Sequence, residues 1–397
     1  MGILQNHRRW SNDQEISPEF PPESGSSSSE NSYSSVSTLT SKQSSITQKH
    51  QYLFTFKSHT SSISCLTLAG KHLLSGSSDH QVRFWPRDSL PAAQNLIACC
   101  ESPVKSMVVS GDKLFTGHQD HKICVWKIDH NDGDGDGDIH SRKLMKSTYL
   151  ATLPTLNNRV TKMFSVKNYV KNHTDAVAAL ALSHDGVFLY SGSRDRTFKV
   201  WRTSDFKCLE SVCNAHDDSI NAIAVSHDGY VYTGSGDRKI KVWWKSAGEK
   251  KHRLVDTLEK HKSAVNALAL STDGSVLYSG ACDRSILVWV RGQGGDGRHM
   301  VVAGALRGHS RGVLCIAVVG DLVMSGSADK TVRIWRGICG MKYSRVCVLQ
   351  GHNGPIKCLA GALDSCTSAD SSGTSYLVYS GSLDCDVKVW KVWMPFL

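Results

Sequence analysis

The sequence predicts an all-β repeat protein behind a serine-rich tail, and three observations carry that prediction. The first is a recurring motif. Seven tryptophans, Trp85, Trp126, Trp201, Trp243, Trp289, Trp335 and Trp390, each follow an aspartate by six residues, at Asp79, Asp120, Asp195, Asp237, Asp283, Asp329 and Asp384. Four residues before each aspartate stands a hydroxyl: Ser75, Thr116, Ser191, Thr233, Ser279, Ser325 and Ser380. The second is alternation. VRFW, FKVW, IKVW, VRIW and VKVW, each ending in a motif tryptophan, place apolar residues at period two, as a half-buried strand requires. The third is punctuation, an SG or TG doublet and a tight turn carrying the aspartate, so each unit reads strand, turn, strand.

Taken in order, the chain begins with residues that cannot build a core. Residues 21–50 contain twelve Ser and three Thr, too little apolar surface to offset ordering entropy, and residues 1–50 are expected to be a disordered tail. The start, MGILQNHRRW, lacks the apolar stretch of a signal peptide, and no run of about 18 apolar residues follows. Gly2 is followed by Asn6 where a myristoylation motif needs Ser or Thr. These features predict a protein kept inside the cell, cytoplasmic or nuclear, with no membrane partner. The thirteen cysteines are odd in number and form no C-x-x-C pair. Cys65, Cys315 and Cys358 hold matching places in three repeats, as buried reduced thiols do. No clustered Cys and His stand at zinc spacing, so neither metal nor cofactor is expected. The net charge is +10, while the first fifty residues carry four Lys or Arg against five Asp or Glu. The basic excess therefore belongs to the folded part and favours acidic partners.

From Gln51 each repeat also opens on a histidine, at His59, His173, His216, His261, His309 and His352. The second repeat, reading ESPVKSMVV, has none. A unit opened by His, closed by Trp and recurring at about 40 to 45 residues resembles the WD-repeat family of four-stranded blades. The resemblance covers residues 51–397 and implies a seven-bladed WD-repeat β-propeller, although the residue after each motif Trp is never Asp. The last repeat ends almost at the C-terminus, so its outer strand must come from elsewhere. Residues 51–56, containing YLFTF, are expected to close the ring and remove the open sheet edges. The tryptophan spacings, 41, 75, 42, 46, 46 and 55, mark two insertions. The longer is assigned to residues 127–172 between the second and third blades. It holds NDGDGDGD, a strand-like TYLATLP, and a basic run in which Val160, Met163 and Phe164 fall at i, i+3 and i+4 of a short amphipathic helix. The shorter is a serine loop at residues 364–375.

The chemistry reads as architecture. His, Ser and Asp recur together as a hydrolase triad would need, but a triad is one site with a unique nucleophile, and no G-x-S-x-G elbow is present. The family resemblance implies instead that each His, hydroxyl, Asp and Trp forms a buried hydrogen-bond network, and no enzymatic activity is expected. Asp132, Asp134, Asp136, Gly137 and Asp138 match the start of a calcium loop, but position twelve is Lys143 where a bidentate Glu belongs, which favours a flexible linker. The sequon at Asn172, His173 and Thr174 coincides with a repeat opening and is read as incidental.

The residues just after the turn aspartates are His80, His121, Arg196, Arg238, Arg284, Lys330 and Cys385. On a propeller these turns open on one face. They are either common turn residues of the family or a cationic ring that receives acidic or phosphorylated segments. The partner-binding set is taken as Arg194, Arg196, Arg238, Arg284, Arg311 and Lys330, with Val160, Met163 and Phe164 of the insertion. No aromatic stacking platform indicates nucleic acid. The insertion ATLPTLNNRVTKMFSVKNYVKNHTDAV behind a serine-rich tail also resembles the plant Jingubang-like WD-repeat proteins. That resemblance implies a regulatory adaptor, monomeric within larger complexes, acting on pollen germination through transcription-factor or signalling partners. Alternatives are a cullin ubiquitin ligase substrate receptor, which would carry W-D-x-R, and an RNA- or nucleoprotein-associated propeller.

Overall fold

The computed structural model of the chain describes residues 36–39, 50–87, 95–129, 146–154, 172–246, 248–292, 299–338, 342–364 and 373–395. Among these, 28 strands form seven four-stranded antiparallel sheets. The third blade shows the pattern: Val177–Leu182 innermost, then Phe188–Ser193, Phe198–Arg202 and Cys208–Val212 outward. In all seven blades the innermost pair shifts register one step after its first residue, for example between Val177 and Ala179, a repeated bulge that sharpens local twist. Innermost strands pack on their neighbours in chain order, and Ile356–Leu363 of the seventh blade packs on Ile63–Ala69 of the first. The core is therefore a ring of inter-blade clusters.

The SG and TG doublets follow from this packing as much as from turn chemistry. A Cβ on Gly76 would lie 2.7 Å from Val104 of the next blade, and one on Gly381 would lie 2.7 Å from Ile63 across the closure. Each blade's second strand thus approaches its neighbour too closely for any side chain.

The ring is closed by the chain's own start. His50–Phe56 pairs antiparallel with Val387–Pro395, setting Tyr52 opposite Trp390 and Phe56 opposite Val387. Phe56 is fully buried and stacks on Trp85 of the first blade at 4.5 Å between ring centroids. One strand therefore completes the last blade and presses on the first.

Three expectations need correction. Residues 36–39 lie within the tail but form structure: Ala305 N–H donates to the Ser37 carbonyl at 2.9 Å, and Leu39 N–H to the Ala305 carbonyl at 3.0 Å. Leu39 enters the cluster between the fifth and sixth blades, over Gly304, and Val36 enters the cluster of the fourth and fifth. Two apolar residues and one exposed strand edge suffice where the surrounding composition does not. The 127–172 insertion is not one segment between blades, because Ser147–Leu153 is the outermost strand of the second blade, with Cys124 opposite Thr152 and Trp126 opposite Tyr149. That strand covers the edge that Trp126 would otherwise expose. The serine loop is shorter than assigned, since Gly373–Ser382 is already a strand and Ser375 pairs with Trp393. Val160, Met163, Phe164 and the acidic glycine run lie outside the described residues.

Deleting residues 51–56 should lower the melting temperature steeply by reopening the seventh blade and uncovering Trp85. Thermal denaturation checks this, and an unchanged midpoint would contradict the closure.

Candidate interaction face

The motif residues converge in a relay that runs across each blade. In the third, Trp201 Nε1–H donates to Ser191 Oγ at 2.9 Å, Ser191 Oγ meets His173 Nε2 at 2.8 Å, and His173 Nδ1 meets Asp195 Oδ2 at 2.9 Å. Asp195 also accepts backbone N–H bonds from Thr174 and Thr197. The same five contacts, between 2.7 and 3.1 Å, join Trp85, Ser75, His59 and Asp79 in the first blade. They join Trp243, Thr233, His216 and Asp237 in the fourth, and Trp289, Ser279, His261 and Asp283 in the fifth. Trp335, Ser325, His309 and Asp329 make the sixth, and Trp390, Ser380, His352 and Asp384 the seventh.

Burial pushes the His59 and His173 imidazoles below their ordinary value, outweighing the aspartates beside them. Neutral rings suit the relay: Nδ1–H donates to the carboxylate, and Nε2 accepts from a hydroxyl that itself accepts from the indole. Burial alone would raise the Asp237 carboxyl, but the His216 hydrogen bond and the backbone N–H groups hold it down at about 2. The same balance holds Asp195, Asp283, Asp329 and Asp384 well below the usual carboxylate range. No nucleophile is exposed by this arrangement, and its product is a locked blade.

The second blade departs from the set. His118, two residues after Thr116, supplies the imidazole: its Nε2 meets Thr116 Oγ1 at 2.8 Å and its Nδ1–H donates to the Ser102 carbonyl at 3.1 Å. Trp126 Nε1–H still donates to Thr116 at 3.1 Å. In five of the other blades (the fifth blade has Ala281 there) a serine Oγ at the His118 position caps the turn, as Ser77 does for Asp79 N–H. Here Ser102 Oγ does so for Asp120 at 3.2 Å. Among the described residues Asp120 itself bonds no histidine. The signal was present as TGH where the other repeats read SGS, TGS or SGA, but it stands at a different place from the opening histidines.

The relay shapes the turn beyond the blade. In six blades the aspartate Oδ1 takes the N–H two residues on, as from Lys239 in the fourth, and in all seven, the second without that bond, the residue between lies in the left-handed region. His80, His121, Arg196, Arg238, Arg284, Lys330 and Cys385 all have φ between 65° and 73°. A side chain there costs about 1 to 2 kcal/mol relative to glycine, and none of these positions is glycine. Arg196, Arg238, Arg284 and Lys330 are exposed, as are Arg194 and Arg311 on neighbouring loops. Among the described residues none of these six pairs with a carboxylate, whereas Lys239, beside Arg238, holds Glu259 at 2.9 Å.

Comparison with known proteins agrees with this geometry. The family model described as "WD40: WD domain, G-beta repeat" matches residues 50–86, 164–202, 206–243, 252–290, 300–336 and 343–391. The chain belongs to the WD40 repeat family. The matched segments leave out the second blade, the one without an opening histidine. The chain is 31% identical over 113 residues to the Lissencephaly-1 homolog of Caenorhabditis briggsae, covering 27% of each. It is 32% identical over 102 residues to the small ribosomal subunit protein RACK1 of Drosophila melanogaster, covering 25% of this chain and 30% of that one. It thus spans less than a third of the length of these curated relatives. The solved WD40 beta propeller domain of Doa1 superposes with a TM-score of 0.63 at 21% identity, over 86% of this chain and 97% of that one.

Asp195→Ala removes the carboxylate that accepts from the buried His173 Nδ1–H, leaving it only the longer contact to Thr197 Oγ1 at 3.2 Å, and should cost on the order of 1 to 3 kcal/mol, measurable by urea unfolding. Stability against pH should fall in two stages. The lowered histidines favour the neutral form in the fold, so their contribution is complete above the unfolded value of 6.5 and declines as pH falls below it. The aspartates are lowered too, so their contribution is lost as pH drops below the unfolded carboxyl value of 3.8 toward about 2. Melting temperatures that stay flat down to pH ~4 would contradict the neutral relay.

Proposed function

We infer that this propeller is a non-enzymatic interaction scaffold whose turn face receives acidic or phosphorylated protein segments. The observation that carries the reading is the set of cations at Arg196, Arg238, Arg284 and Lys330. They occupy one topological position, all at positive φ, and stand free of carboxylates among the described residues. Strain of this kind is retained where the side chain matters, and planar guanidinium groups suit bidentate capture of carboxylate or phosphate. Arg194 and Arg311 widen the face. The layout likeness to plant Jingubang-like propellers extends this reading to a regulatory adaptor in cytoplasm or nucleus, with transcription-factor or signalling partners.

Replacing Arg196, Arg238 and Arg284 by glycine separates charge from fold. Glycine relaxes the backbone at each site, so the triple variant should melt no lower than the parent. Its affinity for phosphoserine peptides should fall at least about tenfold, each factor of ten being about 1.4 kcal/mol. Unchanged peptide affinity, measured by fluorescence anisotropy, would contradict the reading. A much steeper salt dependence with oligonucleotides than with phosphopeptides would favour nucleic acid instead.

A further inference from the structure

Side-chain clips join the outer strands of neighbouring blades at two junctions, and at the next junction the clip position holds glycine. Glu210, Asp256 and Gly304 each stand opposite the valine that precedes a motif tryptophan, in the third, fourth and fifth blades. Glu210 reaches the start of the fourth blade's outer strand, where it accepts the His252 N–H at 2.8 Å and bonds His252 Nδ1 at 2.6 Å. Asp256 reaches the same place on the fifth, accepting the Met300 N–H at 3.0 Å. The equivalent residue of the sixth blade is Tyr343, since His252, Met300 and Tyr343 each lie two residues before the one opposite the motif tryptophan. Gly304 has no side chain to send there.

Residues 36–39 supply what is missing. The Leu39 carbonyl accepts the Tyr343 N–H at 3.2 Å, in the role that the Glu210 and Asp256 carboxylates fill at the other two junctions. The Leu39 side chain fills the space over Gly304: a Cβ there would collide with Leu39 Cγ, and the three heavy atoms nearest to it all belong to Leu39. Leu39 joins the cluster of Tyr278 and Tyr343, whose buried hydroxyls bond each other at 2.8 Å and fix the wall of the notch. Thr38 pairs in parallel with Ala305, and Val36 joins the cluster of the fourth and fifth blades. Among the described residues, three main-chain hydrogen bonds and two half-buried side chains hold the segment, the means by which an extended peptide adds to a sheet edge. Ser37 and Thr38 are exposed, and no charged residue lies between Glu30 and Lys42.

We propose that the notch over Gly304 is a peptide-binding site for an uncharged extended segment with an apolar residue followed three positions on by leucine, and that residues 36–39 occupy it in cis as a built-in competitor. The leucine is the specific element, because glycine at the clip position is what leaves room for it. The counterparts of Gly304 in the second, sixth and seventh blades are Ala151, Cys347 and Phe54, each with a side chain in the way. The main-chain bonds to Ala305 and Tyr343 take any sequence and supply affinity. A partner segment of the same pattern enters by displacing the tethered one, whose effective concentration is on the order of millimolar. The site lies on the outer strands of the fifth and sixth blades and does not rest on the turn-face reading.

The test uses the full chain and a fluorophore-labelled peptide of residues 34–42, followed by fluorescence anisotropy. Leu39→Asp should empty the notch, so this variant should bind the peptide saturably with a midpoint at least about tenfold lower than the parent, in which the tethered segment competes. Leu39→Ala, the milder variant, should move the midpoint in the same direction. Adding Gly304→Val to Leu39→Asp should abolish binding, and replacing the peptide's own leucine by aspartate should do the same with the protein untouched. In thermal denaturation Gly304→Ala should lower the midpoint of the parent but not of Leu39→Asp, because the atoms nearest the added methyl are those of Leu39. No saturable binding to Leu39→Asp, equal affinity for parent and Leu39→Asp, undiminished binding of the aspartate peptide, or an equal loss from Gly304→Ala in both backgrounds would each overturn the proposal.

Discussion

The chain of hydrogen bonds from a tryptophan indole through a hydroxyl and an imidazole to an aspartate is the constraint on which the rest depends. It ties the third strand of a blade to the second and to the loop that enters the blade, through groups that would be costly to bury singly. Where burial favours the neutral imidazole, as at His59 and His173, each partner has one role, donor on one side and acceptor on the other. The aspartate at the end of the relay also fixes its own turn. In six blades its second oxygen takes the N–H two residues on, and in all seven the residue between lies at positive φ. Arg196, Arg238, Arg284 and Lys330 stand at that position and are exposed.

Frame and function are thus separable within eleven residues. In SGSRDRTFKVW, Ser191, Asp195 and Trp201 are consumed by the blade, and Gly192 is required by the Ile220 side chain of the next blade. Arg194 and Arg196 are spent on neither. The second blade shows how far the relay tolerates change. His118 restores the indole, hydroxyl and imidazole half from a different strand position, while the aspartate half is left with Lys122.

Much of this was legible in the sequence because period-two strands and a fixed Ser, Asp and Trp spacing report directly on half-buried sheet and on a conserved distance across a hairpin. The parts that were not legible share one cause, a partner distant in sequence or shifted in position. His118 sits in the strand instead of the opening loop. Ser147–Leu153 is separated from its neighbour Ile123–Ile128 by a polar stretch of sequence that disguised it as an insertion. Leu39 was averaged into a serine-rich tail, and only Gly304 and the free edge of Met300–Leu306 reveal why it docks. The role of the SG and TG glycines in admitting the next blade could not be read from a single repeat.

The protonation state of the relay is what the account stands on, and 15N NMR of histidine-labelled protein at neutral pH reads it directly. His59 and His173 should give the shifts of neutral rings protonated at Nδ1, unchanged on lowering the pH until the blade itself loosens. Imidazolium shifts at neutral pH, or neutral rings protonated at Nε2, would contradict the relay as described.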